Sequence, residues 1–121
     1  MQTNNHIETL TPKLTLDQIQ AYIRLMAENR GFAQETSIET MLIMLEEVGE
    51  LAKALRKQSG LKIDHERIAS YGILKHEMAD VFICLLVLAN KCNISLVEAL
   101  QEKEQINCQR SWSKHQDIHE R

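Results

Sequence analysis

Two acidic segments hold the residues most able to do chemistry. "EEVGE" at 46–50 contains Glu46, Glu47 and Glu50, and "HEMAD" at 76–80 contains Glu77 and Asp80. At about 100° per residue, side chains three apart lie on one side of a helix, so Glu47 and Glu50 can reach one point, as can Glu77 and Asp80. Apolar residues border both pairs. Ile43, Leu51 and Ala54 flank the first, and Ile73, Leu74, Val81, Cys84 and Leu88 surround Glu77. Glu46 points further toward the polar side. An unpaired carboxylate in such surroundings is costly or takes up a proton. Four converging acids therefore suit a hard divalent cation, Mg²⁺ with Mn²⁺ as a substitute, which prefers carboxylate oxygens and retained waters.

Competing chemistries are weaker. A di-iron carboxylate bundle needs two Glu-x-x-His pairs, and the chain has none. "HEMAD" is not a zinc-protease motif, because Asp80 stands where the second His would be. The alternative from a different class is a non-catalytic helical oligomerisation or regulatory module, with its acids in salt bridges to Lys53, Arg56 or Lys75.

The elements that must position these acids follow from composition and periodicity. The 121 residues suit one domain with a modest core, and the single Pro, four Gly and 4% aromatics point to an all-α protein. Capping boxes open at Thr15 with Gln18, Thr36 with Glu39 and Ser95 with Glu98. The first helix ends near Gly31 and the second near Gly60. The second helix carries Met41, Leu42, Leu45, Val48, Ala52 and Leu55 toward a bundle core. A third runs from about Tyr71 to Cys92, and a fourth from Ser95 to about Arg110. Residues 58–70 form a connection with room for a short helix capped at Asp64. The expected architecture is four main helices in an antiparallel bundle, completed by homo-oligomerisation because the core is small. Residues 1–14 read as an N-terminal arm, 15–112 as the helical domain and 113–121 as a polar tail. Gly49 costs its helix about 1 kcal/mol and is expected to admit a close neighbour or ligand.

Charge and targeting signals narrow the partners. A formal net charge of −3 implies no basic surface for a nucleic acid polymer. The longest apolar run, "VFICLLVLA", falls short of a bilayer span. The amino-terminal residues lack the apolar stretch of a signal peptide, and three Cys without zinc-ligand spacing fit reduced thiols. A cytoplasmic protein is expected.

"EEVGE" followed by "EMAD" resembles the EExxE…ExxD signature of the all-α nucleoside triphosphate pyrophosphohydrolases, which include MazG, the dimeric dUTPases and the dCTP pyrophosphatases. "LEEVGELAKALRK" is especially MazG-like, and the resemblance spans roughly residues 16–112. It implies hydrolysis of a nucleoside triphosphate between the α- and β-phosphates, giving a monophosphate and pyrophosphate, within a dimer or dimer-of-dimers tetramer. Glu47, Glu50, Glu77 and Asp80 match the Mg²⁺-binding carboxylates. Glu46 matches the first acid of the motif, as general base, water holder or ligand to a further metal, and Glu47 is counted with it as catalytic. "KEQINCQRSW" resembles the family's Lys-x-x-x-Asn-x-x-Arg pattern, which makes Lys103, Asn107 and Arg110 phosphate-facing candidates. Trp112 reads either as a base-stacking surface or as a packing anchor. House-cleaning of modified nucleotides is a family-level role. No residue dictates base or sugar. His115 and His119, four apart in the tail, read as chance.

Overall fold

The computed structural model describes residues 10–60 and 71–110. Most of the expected arm, the tail, Trp112, His115, His119 and the short helix at Asp64 lie outside them. Within the described residues the chain is all-helical, without strands. Helix α1 spans Leu16–Arg30, α2 Ser37–Ser59, α3 Leu74–Lys91 and α4 Leu96–Cys108, with a 3-10 turn at Phe32–Gln34 after α1.

Each helix begins and ends where local chemistry dictates. At α1 the capping box is complete, with the Thr15 hydroxyl accepting from the Gln18 amide and the Gln18 side chain accepting from the Thr15 amide at 2.8 Å. Thr36 and Ser95 supply the hydroxyl half of the same motif to α2 and α4. Gly31 and Gly60 end α1 and α2 in left-handed geometry at φ 82° and 70°, which a Cβ would strain. Asn93 takes that role after α3 at φ 54°. There the Ile94 amide bonds the Ala89 carbonyl and the Asn93 amide bonds that of Asn90, the paired bonds of a Schellman motif. Helix α3 begins three residues later than the sequence suggests, because Ile73 gives it no side-chain cap.

Helix α3 is the central element. It packs most extensively on α2 and also against α1. The buried core joins Ile23, Met26 and Ala27 of α1 to Leu86 and Val87 of α3, with Leu96 of α4 packed against them. Helix α4 leaves α3 at 96°, so it lies nearly perpendicular to α3 rather than as a fourth antiparallel stave. A polar clamp fixes that corner. Gln20, 6% exposed, donates from Nε2 to the Ile94 carbonyl at 2.9 Å and to Asn90 Oδ1, and its Oε1 accepts from the Leu96 amide at 2.8 Å. Asn90 returns a bond to the Gln20 carbonyl at 2.9 Å.

The second helix departs from expectation. Leu42 and Leu45 are 58% and 53% exposed, and Met41, Val48 and Leu55 are exposed with them, not buried in a bundle core. One neighbouring helix cannot cover so broad an apolar arc, and α1 and α4 pack elsewhere. Met78, Phe82 and Leu85 of α3 are also exposed. Among the described residues, no single helix is long and apolar enough to cross a membrane.

Replacing Gln20 by Leu strips buried partners from the Ile94 carbonyl and the Leu96 amide together. The expected loss is about 2–4 kcal/mol of unfolding free energy in a urea titration. A change below about 0.5 kcal/mol would show that the corner does not depend on this clamp.

Candidate active site

The acids meet at the α2–α3 interface. Glu47 of α2 and Glu77 and Asp80 of α3 each bring a carboxylate oxygen within 4.8 Å of the others. Helical spacing places Glu77 and Asp80 on neighbouring turns of α3, and the α2–α3 packing presents Glu47 to both. Glu47 and Glu77 are half-buried and Asp80 is exposed. None of the three is ion-paired among the described residues. Burial holds the Glu47 carboxyl above its ordinary pKa. The charges of Asp80, Glu77, Glu50 and Glu46 push it the same way, in that order.

Glycine positions matter here in an unexpected way. A Cβ at Gly49 would meet nothing within 4 Å, so the close approach expected there is absent among the described residues. The close approach falls instead at Gly72, just before α3. Any side chain there would collide with the Glu77 carboxylate, which folds back over that glycine. A Cβ at Gly72 would displace the flexible end of the Glu77 side chain, which rests against that glycine.

The remaining predicted residues divide. Glu50 lies outside the three-oxygen cluster, and its Oε1 pairs with Lys53 Nζ at 3.3 Å. That contact matches the salt-bridge reading for this one acid, and both side chains are about half exposed, where such a pair contributes little. Glu46 is exposed next to the cluster. On α4, Lys103 and Arg110 are exposed and Asn107 is half-buried. No α4 residue lines the cavity described next.

A cavity of about 250 Å³ opens beside the carboxylates, with Glu47 and Asp80 belonging to both. Met26, Ile43, Ile83 and Val87 form apolar walls. Phe32 and Glu35 enter from the α1–α2 connection, Arg30 from the end of α1, and Thr40 and Cys84 from α2 and α3. Lys91 fastens this connection to α3, its ammonium donating to the Phe32 carbonyl at 2.9 Å and to the Glu35 carbonyl. Burial, then the charges of Glu47, Asp80 and Glu35, raise the Cys84 pKa, so it stays a thiol near neutral pH and is a poor nucleophile. Sequence reasoning missed Thr40, Glu35 and Lys91. Thr40 was findable, since it precedes Ile43 and Glu47 by three and seven residues on one helix face. Lys91 bonds backbone carbonyls, and no sequence pattern reports that.

The donor set fits a hard cation. All three converging ligands are carboxylate oxygens, and exposed Asp80 leaves a side open to water.

No curated protein matches the chain. A family model described as the MazG nucleotide pyrophosphohydrolase domain matches residues 33–109, which takes in Thr40, all five motif acids, α3 and α4. The chain therefore belongs to the MazG nucleotide pyrophosphohydrolase domain family.

Proposed function

We propose that the protein is a Mg²⁺-dependent nucleoside triphosphate pyrophosphohydrolase that cleaves between the α- and β-phosphates to release a monophosphate and pyrophosphate. The observation that carries this reading is the convergence of Glu47, Glu77 and Asp80 beside a cavity that Glu47 and Asp80 help to line. Three anionic groups without a cationic partner among the described residues call for a cation from solution.

In this reading Glu47, Glu77 and Asp80 hold the metal, and Glu50 joins them by giving up its weak pair with Lys53. The bound cation supplies charge neutralisation at the phosphates and acidifies the attacking water. Glu46, exposed beside the cluster, takes the proton as that water attacks the α-phosphorus. The cavity receives the base, its apolar walls excluding water from one side of the substrate. Lys103 and Arg110 neutralise the departing pyrophosphate, with Asn107 beside them. They do not line the cavity of one chain, so we assign them, with Trp112, to the site of an assembled homo-oligomer, a dimer or dimer of dimers. The exposed apolar residues of α2 and α3 support that assembly. A role in clearing modified nucleotides accords with this chemistry.

Glu77→Gln should lower Mg²⁺-dependent pyrophosphate release by about 100-fold or more while leaving the helical circular dichroism spectrum unchanged. Turnover equal to that of the unaltered protein would contradict the assignment. A second expectation concerns pH. The folded-state pKa of Glu47 is raised, so the folded chain binds more protons than the unfolded one, and metal-free stability falls as pH rises through that interval. Glu47→Gln should therefore stabilise the metal-free protein at pH 7 in urea unfolding, with the gain vanishing below about pH 4. A gain of equal size at both pH values would point to packing instead.

A further inference from the structure

Thr40 is the most deeply buried residue lining the cavity, at 2% exposure, yet its Oγ1 has no hydrogen-bond partner among the described residues. A buried hydroxyl without a partner is costly and uncommon. On a helix, Thr ordinarily turns Oγ1 to the carbonyl four residues back. Here the Thr36 carbonyl accepts only the Thr40 amide, at 3.0 Å, so the hydroxyl proton is uncommitted. The other polar side chains of the lining are mainly acceptors, namely Glu35, Glu47 and Asp80, with Arg30 the exposed donor. Thr40 also stands seven residues before Glu47, a rise of about 10 Å along α2. A substrate with its phosphates at the acidic cluster would bring its ring toward Thr40. The wall opposite is held in place by the bonds of Lys91 to Phe32 and Glu35. At about 250 Å³ the cavity is smaller than the pockets that take drug-sized ligands, and it suits one planar ring rather than a whole nucleotide.

We propose that Thr40 is a specificity-determining residue, its hydroxyl donating a hydrogen bond to an acceptor atom on the heteroaromatic ring of the substrate seated in this cavity. The proposal rests on the reading of the site as a nucleoside triphosphate pyrophosphohydrolase. It favours rings that present a carbonyl oxygen or unprotonated nitrogen at that edge, because such an acceptor takes the uncommitted hydroxyl proton, whereas a ring N–H pairs only with an Oγ1 lone pair and leaves that proton without a partner.

The test compares Thr40→Val, which keeps the shape and removes the hydroxyl, with Thr40→Ser, which keeps the hydroxyl. Pyrophosphate release is measured with Mg²⁺ across the common nucleoside triphosphates. Binding of their non-hydrolysable α,β-methylene analogues is measured by calorimetry. Thr40→Val should raise KM for the preferred substrate roughly five- to tenfold, with a smaller change in kcat, and narrow the preference among rings. Its metal-free stability should equal or exceed that of the unaltered protein, and Thr40→Ser should recover most of the KM. Should Thr40→Val not fold, Thr40→Ala is read in the same way. An unchanged KM and base preference in Thr40→Val, or equal impairment in Thr40→Ser, overturns the proposal. Binding of analogues without cleavage of any substrate overturns the proposed function instead, and the binding constants then decide the role of Thr40. If the unaltered protein binds none of the analogues, both fall.

Discussion

Three carboxylates without a cationic partner among the described residues, held together where α2 meets α3, are the constraint on which the rest of the structure depends. Glu47 feels both partial burial and four neighbouring negative charges, and each raises its pKa. Folding the metal-free chain therefore works against a local repulsion, and packing elsewhere must offset it. The core between α1 and α3 and the Gln20–Asn90 clamp at the α4 corner supply that packing toward the other end of α3. Helix α3 thus joins a satisfied side to an unsatisfied one, a common arrangement where local stability is given up for chemistry.

The cavity depends on the same helix. Asp80, Ile83, Cys84 and Val87 follow helical spacing along one face of α3, so the residue that helps build the acidic cluster also begins the apolar wall. Thr40, Ile43 and Glu47 do the same on α2. Lys91, at the end of α3, reaches across to hold the connection that supplies Phe32 and Glu35. One pair of helices thereby places anionic side chains beside a partly apolar cavity, a combination that suits a charged substrate with a planar ring.

Much of this was legible in the residues. Caps at Thr15, Thr36 and Ser95, and glycines at 31 and 60, marked helix ends that the structure has within a residue or two. Spacing alone placed Glu47, Glu77 and Asp80 on faces able to converge. The perpendicular exit of α4 was not legible, because it comes from a Schellman turn at Asn93 and a side-chain clamp spanning more than seventy residues of sequence. The exposure of Leu42 and Leu45 was also hidden. Periodicity says that a face is apolar, not which neighbour covers it. Gly49 was conspicuous inside the motif, yet the close contact belongs to Gly72, whose role depends on how Glu77 folds back. The pairing of Glu50 with Lys53 shows the limit of spacing as a guide, since it places a carboxylate on a face without saying which partner it takes.

The claim that these acids form one cation site is tested most directly by thermal unfolding of the unaltered protein and of Asp80→Asn across a Mg²⁺ titration. The account predicts that Mg²⁺ raises the Tm of the unaltered protein saturably, as expected for a ligand of the folded state, and that most of this rise is lost in Asp80→Asn. A Tm indifferent to Mg²⁺, or an equal rise in both proteins, would contradict it.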